Sequence, residues 1–226
     1  MRAPLTIVIP ILNAQEELGD TLSSLMEGLH AGLIRELIVS DGGSDDDTLE
    51  IARMAGAEII EGPKGRGGQL MRGAERASGE WLLFLHADTH LRQGWSDDVA
   101  RFISHEEYAG YGRLEFRDAG LWGTVIAGGA NFRSRLFGLP YGDQGLLISR
   151  SLYAQIGGYR DIPLMEDVAI AKLLKRRLKP CGFTARTSAA RYQQAGYIRR
   201  VLHNWVLLGR YKLGADPQTL ADSYRK

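Results

Sequence analysis

Trp81-Leu82-Leu83-Phe84-Leu85-His86-Ala87-Asp88 is the stretch on which the fold turns. Five apolar residues in an unbroken run suit a strand buried on both faces, as strands of a parallel sheet are. A carboxylate directly after such a strand falls at the carboxyl edge of the sheet, where open α/β sheets bind ligands. In extended backbone His86 and Asp88 point the same way, being two apart. Both side-chain types bind divalent metals, and a metal there could hold a diphosphate. A second reading also fits: Asp88 and Thr89 as the cap of a helix starting near Gln93.

Outward from this strand, apolar runs alternate with helical patterns. Thr6–Ile11, Glu36–Ser40 and Glu58–Glu61 read as strands. Glu16–Leu29, Thr48–Ala55, Gly67–Ala77 and Trp95–Ser104 read as helices, the first with Leu18, Leu22, Leu25, Met26 and Leu29 on one face. This spacing predicts βαβ units, right-handed crossovers and a mostly parallel sheet flanked by helices, an α/β fold. The second half is less regular. Tyr111–Phe116 and Gly145–Ser149 read as strands, and Leu121–Phe137 and Tyr197–Leu213 as helices. Glu166–Leu178 reads as a helix stopped by Pro180. One domain spanning 1–226 is expected: a nucleotide-binding half to about residue 110, an acceptor-side half over 111–192, and a helical tail over 193–226.

The bulk numbers exclude several classes. With 226 residues and 44% hydrophobic content the chain can bury a full core. A net charge of +1 demands no nucleic acid partner. The single cysteine, Cys181, rules out an internal disulfide framework or a multi-cysteine zinc site and is expected buried near a strand. No signal-peptide pattern and no apolar run of about 18 residues is evident. The expectation is a cytoplasmic chain. The basic, amphipathic segment 197–212 leaves open a contact peripheral to the inner membrane, packing on the main domain, or a homo-oligomer.

Three polar loops gather where the strands end: Pro10-Ile11-Leu12-Asn13, Asp41-Gly42-Gly43-Ser44-Asp45-Asp46-Asp47, and His86-Ala87-Asp88. Asp41 is an acceptor placed where a base or ribose would lie. Gly42 and Gly43 admit a ligand close to the backbone. Asp45–Asp47 read as a cap for the helix at Thr48. Pro63-Lys64-Gly65-Arg66-Gly67-Gly68-Gln69 opens a helix with free N–H groups and two cations, features that suit phosphate oxygens. It lacks the spacing of a P-loop or of a dinucleotide fingerprint. Glu166 and Asp167 fall at a helix N-terminus, where the macrodipole favours negative charge. A base there needs burial or a neighbouring carboxylate to offset the dipole. Asp143 and Gln144 precede a strand and suit acceptor hydroxyls, although an Asp in a turn also bonds its own backbone. Arg113, Arg117 and Arg133 suit an anionic acceptor or simply a solvated surface.

Taken in order, Val8-Ile9-Pro10 with Asn13 and Glu16, Val39-Ser40-Asp41-Gly42-Gly43-Ser44-Asp45 with Asp47-Thr48, Lys64-Gly65-Arg66-Gly67, Ala77-Ser78-Gly79-Glu80, Phe84-Leu85-His86-Ala87-Asp88 and Glu166-Asp167 resemble family 2 glycosyltransferases. The likeness is greatest to a small bacterial subgroup with a His-Ala-Asp-Thr motif, labelled as radical-SAM/selenodomain-associated. The resemblance implies a GT-A fold, a nucleotide-diphosphate sugar donor, inversion at the anomeric carbon, and a divalent metal, Mn2+ or Mg2+. Carried onto matching positions, it implies donor contacts at Pro10, Asn13, Glu16, Asp41, Gly42, Arg66, Gln69, His86 and Ala87. It also implies metal binding at Asp88 and a base at Asp167 with Glu166 beside it. Two departures stand out. His86 replaces the first acid of the family's metal motif, and Leu70-Met71 replace an Arg-Asn pair, leaving Gln69 or Arg72 to substitute. An inactive nucleotide-sugar-binding relative is the alternative reading. A sugar-phosphate nucleotidyltransferase is another, although that would want a glycine-rich loop after the first strand rather than Pro10-Ile11-Leu12-Asn13.

Overall fold

The structure, a computed structural model, describes residues 3–105, 107–117 and 119–224, with backbone alone at Arg191, Gln194 and Ala195. The last two residues of the expected tail lie outside the described residues. In chain order the first half comprises β1 (Leu5–Ile11), α1 (Gln15–His30), β2 (Ile34–Asp41), α2 (Thr48–Met54), β3 (Glu58–Glu61), α3 (Arg66–Arg76), β4 (Trp81–Phe84), β5 (His90–Leu91) and α4 (Trp95–Phe102). The second half comprises β6 (Ala109–Arg117), α5 (Gly120–Phe137), β7 (Leu146–Ser149), α6 (Arg150–Gln155), α7 (Glu166–Leu174), β8 (Leu178–Ser188), α8 (Ala190–Ala195), α9 (Tyr197–Lys212) and α10 (Pro217–Tyr224).

Eight strands form one sheet in the order β3-β2-β1-β4-β7-β6-β8-β5. β1 through β4 are mutually parallel, β7 runs against β4 and β6, β8 follows β6, and β5 runs against β8. Six strands therefore share one direction, and only β7 and β5 oppose it. As a result the carboxyl ends of β1, β2, β4, β6 and β8 and the beginning of β7 meet at a single edge. Loops from both halves of the chain converge there.

The central strands β1, β4 and β7 bury both faces, and alternation decides which residue goes where. Leu5, Ile7, Ile9 and Ile11 of β1 join Trp81, Leu83 and Leu85 under α1 and α4, with Leu18, Leu22, Leu25 and Trp95. Val8, Leu82 and Phe84 face the other side, where α3, α7, α9 and α10 pack through Leu70, Val168, Leu174, Leu207 and Leu220. The tail is thus built into one of the two core layers. No helix among the described residues is long and apolar enough to cross a membrane.

Three expectations differ from what is found. β4 ends at Phe84, and His86–Thr89 is a turn closed by the Thr89 N–H donating to the His86 carbonyl at 3.2 Å, so His86 and Asp88 are not consecutive strand positions. The helix expected to run to Leu178 stops at Leu174, because Lys175 takes a left-handed φ of 49°. Pro180 then lies inside β8, at a bulge where the β6 partner steps from Tyr111↔Pro180 to Arg113↔Thr184. Gly182 there, at φ 105°, supplies the turn that a proline-containing strand needs to rejoin its ladder. Cys181 is buried in this bulge as expected, and burial pushes its thiol up to about 12.

Candidate active site

The loops after β1 and β2 are held by their own side chains. Asp41 is buried, and its carboxylate accepts from the Gly43 N–H at 2.8 Å, the Ser44 N–H at 3.0 Å and the Ser44 hydroxyl at 2.6 Å. It shapes the turn in which Gly42 and Gly43 lie. Asn13 sits at a left-handed φ of 49°, its amide oxygen accepting from the Asp45 N–H at 3.0 Å and its N–H donating to Ser44 Oγ at 2.9 Å. Pro10 is half-buried beside this loop, and Glu16 is exposed in the first turn of α1. Asp46 accepts from the Thr48 N–H at 3.1 Å at the start of α2, whereas Asp47, at the N-cap position, makes no side-chain capping bond, so the expected cap is met by Asp46 alone.

Gln69 proves to be a strut rather than a ligand group. It is 5% exposed, and its Nε2 donates to the Ile11 carbonyl at 2.7 Å and the Ser40 carbonyl at 2.8 Å. Its Oε1 accepts from the Gly65 N–H at 3.3 Å. With its polar atoms taken, it ties the β1 and β2 ends to α3. A Cβ on Gly42 would lie 3.2 Å from the Gln69 amide, close enough that the amide would have to give way by a few tenths of an ångström. The glycines at the start of α3 are closely packed. A Cβ on Gly67 would strike the Arg160 and Ile162 backbone, and one on Gly68 would lie 2.5 Å from Asp161 Oδ1.

Arg66, the first residue of α3, reaches the first residue of α7. Its Nη1 lies 3.3 Å from Glu166 Oε1, with side-chain exposures of 33% and 2%. Burial holds the Glu166 carboxyl up at about 7; Arg66 pulls it down and Asp167 pushes it further up. Glu166 Oε2 is buried without a hydrogen-bond partner among the described residues. The dipole at this helix start is thus outweighed by desolvation. Met165, just before α7, is in left-handed backbone at φ 67°.

Across from this pair lies the His86–Asp88 turn. Its backbone is anchored from outside: the Thr21 hydroxyl donates to the Ala87 carbonyl at 2.6 Å and Arg117 Nη2 donates to the Asp88 carbonyl at 3.3 Å. Anchoring through main chain leaves the half-buried Asp88 side chain on the cleft wall. The His86 imidazole lies against Gly142, where a Cβ would overlap it. The Gly142 N–H in turn donates to Asp167 Oδ2 at 3.0 Å, while Asp167 Oδ1 accepts from the Val168 N–H at 2.7 Å. His86, Gly142 and Asp167 therefore form one packed chain across the cleft.

Asp143 follows, with burial raising its carboxyl to about 6. Arg133 opposes that rise, and the charges of Asp167 and Asp88 add to it. Its Oδ1 is buried and unpartnered among the described residues. Arg133 stacks on the Tyr141 ring at 3.5 Å and donates to the Leu139 carbonyl at 3.0 Å, so it acts at the site's edge. Gln144 corrects its expected role. It is fully buried, with Nε2 donating to the Gly112 carbonyl at 3.0 Å and Oε1 accepting from the Ser134 hydroxyl at 2.5 Å, so its amide has nothing left for an acceptor.

Arg66, His86, Asp88, Asp143, Glu166 and Asp167 line one cleft. Its far wall comes from residues that sequence reasoning did not single out: Tyr192, Arg200, Asn204, Leu207 and Tyr224. The signal was the helical spacing of 200, 204 and 207 within the amphipathic segment 197–212. No group of three or more His, Cys, Asp or Glu residues is gathered closely enough to hold a metal among the described residues. A divalent ion that keeps water and takes substrate phosphates needs only one or two protein carboxylates, and Asp88 with His86 beside it fits that donor set.

A family model described as "Glycosyl transferase family 2" matches residues 6–136. The chain belongs to glycosyl transferase family 2. The family match contains the Asp41 and Asp88 loops, while Glu166 and Asp167 lie beyond it. A PGL/p-HBAD biosynthesis glycosyltransferase of Mycobacterium bovis is 33% identical over 175 residues, 70% of this chain and 64% of that protein. The chain thus spans about 64% of the length of such relatives. A glucosyl-3-phosphoglycerate synthase of Mycolicibacterium smegmatis is 34% identical over 92 residues, 37% of this chain and 30% of that protein. Among solved structures, the mannosyltransferase PcManGT from Pyrobaculum calidifontis in complex with GDP-Man and Mn2+ superposes with a TM-score of 0.61 at 16% identity, over 81% of this chain and 57% of that one. S. aureus TarS residues 1–349 superpose at 0.60 and 15% identity, over 82% and 60%. At these identities the likeness is one of fold: the family 2 chain has the GT-A architecture.

Proposed function

We propose that this chain is an inverting glycosyltransferase, moving a sugar from a nucleotide-diphosphate donor to an acceptor hydroxyl. The observation that carries the reading is the single cleft in which the Asp88 turn faces Asp143, Glu166 and Asp167. The sequence of the His86-Ala87-Asp88-Thr89 turn supports placing the chain in the small bacterial His-Ala-Asp-Thr subgroup. The nucleoside lies along the Pro10–Asn13 and Asp41–Ser44 loops, with Glu16 at their rim, in the donor half up to about residue 110. The diphosphate reaches Asp88, with Arg66 supplying a fixed positive charge beside it. A divalent ion held by Asp88 with His86 would neutralise the departing diphosphate. The imidazole, a softer ligand than carboxylate, favours manganese over magnesium.

The acceptor enters from the half built by 111–192 and the tail. Its hydroxyl oxygen attacks the anomeric carbon as the bond from that carbon to the diphosphate oxygen breaks. The hydroxyl proton passes to Asp167, whose carboxylate is aimed by the Gly142 N–H. The electron pair leaves with the nucleoside diphosphate. Glu166 positions Arg66 through the buried pair, and Asp143 is placed to accept from a second acceptor hydroxyl. The mycobacterial relative is named for PGL/p-HBAD biosynthesis; the base, sugar and acceptor of the present chain are to be found by screening UDP-, GDP- and dTDP-sugars. Asp167→Asn tests the assignment. It should lower kcat by about 10²–10⁴-fold, the usual contribution of a general base, with donor Kd within about twofold. Parallel loss of donor binding and turnover would make Asp167 structural and sink the mechanism.

A further inference from the structure

Two helices carry large apolar side chains that nothing among the described residues covers. On α5, Trp122, Val125, Phe132 and Leu136 recur at helical spacing and are between 58% and 64% exposed. The helix buries only Gly123, Ala127 and Ser134 among the described residues. Small residues face inward and large apolar ones outward, the reverse of a water-exposed amphipathic helix. On α9, Ile198, Leu202, Trp205 and Val206 form a second stripe, between 59% and 64% exposed. Scattered exposed leucines need no explanation, but contiguous stripes of this kind mark interaction surfaces.

Charge says which partner fits. α5 and α9 together hold Arg133, Arg135, Arg199, Arg200, Arg210 and Lys212 and no acidic residue. The whole chain balances 28 basic against 27 acidic residues, so the segregation is local. Arg135, Arg199, Arg210 and Lys212 are exposed. The two helices begin side by side, the Tyr197 hydroxyl donating to the Ala119 carbonyl at 3.4 Å. Apolar side chains ringed by uncompensated cations, with tryptophan in each stripe, are what an interfacial helix presents to anionic headgroups.

We propose that α5 and α9 form a surface that docks on an anionic lipid bilayer. The inference is independent of the transferase reading. It does bear on it, because the opposite face of α9 puts Arg200, Asn204 and Leu207 on the cleft. Docking through the outer face would hold the cleft within about one helix diameter, ~10–12 Å, of the headgroups.

The chain carries its own reporters. Trp81 and Trp95 are 3% and 1% exposed, whereas Trp122 and Trp205 are 58% and 64% exposed. The test is tryptophan emission and co-sedimentation of the full chain with vesicles of phosphatidylcholine alone and of phosphatidylcholine with phosphatidylglycerol. Expected are a blue shift and a bound fraction with the anionic vesicles only, both reversed by added salt. Trp122→Phe and Trp205→Phe should each remove part of the shift. Leu202→Glu should weaken vesicle binding at least about tenfold, since it puts a charge into the apolar face, without altering the far-UV circular dichroism. The combined variant Arg199→Gln/Arg210→Gln/Lys212→Gln should reduce binding to the level seen with neutral lipid. A folded chain that ignores anionic vesicles would overturn the proposal. So would binding unaffected by these variants, or a dimer in sedimentation velocity that buries the same tryptophans without lipid.

Discussion

Removing Arg66 should expose how the site's charges are held. Glu166 is buried to 2% of its side-chain surface, and its only cationic partner at ion-pair distance among the described residues is Arg66 at 3.3 Å. Breaking a buried pair by deleting one partner typically costs about 3–5 kcal/mol. Arg66 is one-third exposed, so solvent already weakens the pair and the lower figure, about 3 kcal/mol, is expected for Arg66→Ala. In a chain of this length that corresponds to roughly 6–12 °C in Tm. The loss must depend on pH in a set direction. Glu166 stands at about 7 rather than its ordinary 4.5. Its contribution to stability is therefore present at low pH and fades as pH rises through the folded value. Without Arg66 the folded value climbs further, so the destabilisation is greatest above pH 7 and shrinks towards about pH 5, where the buried carboxyl is neutral. Adding Glu166→Gln should recover most of the loss, as a double-mutant cycle would show. Thermal unfolding monitored across pH checks this. A penalty for Arg66→Ala that is the same at both ends of the range, or that persists in the double variant, would refute the account of the pair.

Two further outcomes follow from the cleft's packing. Gly142→Ala places a methyl where the His86 imidazole lies, so the ring must swing away; activity should fall by roughly 10²-fold, the scale of an ångström-sized misplacement, while Tm changes little. Steady-state kinetics beside a melting curve separate the two effects, and a collapse of Tm would mean Gly142 matters for folding instead. His86→Asp restores a harder oxygen ligand next to Asp88 and should move the manganese-to-magnesium activity ratio towards magnesium; an unchanged ratio would place His86 outside the metal's ligands.

The first half of the chain was legible because its strands and helices carry clear periods. Ile7 and Ile9 against Val8, and Leu18, Leu22 and Leu25 of α1, fall on the faces their spacing predicts, whereas Met26 and Leu29, grouped with them by spacing, are exposed at the rim of that face. β8 was not. Lys172, Lys175, Arg176 and Arg177 imitate a basic helix C-terminus, and Pro180 imitates the stop after it. The break at Lys175 and the bulge at Gly182 depend on tertiary pairing with β6, which no local pattern records. Gln69 and Gln144 misled for a related reason. A polar residue beside a glycine turn looks like a ligand contact, yet these two satisfy carbonyls and hydroxyls that the packed strand ends would otherwise leave unpaired. Asp88, Glu166 and Asp167 were singled out from order and residue type, and they line one cleft. That Glu166 is the buried member, and Asp167 the one held by Gly142, needed the fold. The tail's contribution to the cleft was hidden because α9 carries two stripes and only the exposed one stands out in sequence.

The central claim is that the Asp88 turn receives a nucleoside diphosphate with a divalent metal. Isothermal titration of UDP, GDP and dTDP, each with and without Mn2+, into the chain and into Asp88→Ala tests it most directly. The account predicts that one of the three binds in a manganese-dependent way and that Asp88→Ala weakens that binding by at least about tenfold, the scale set by loss of a charged ligand. Binding indifferent to both manganese and Asp88, or no binding of any of the three, would contradict it.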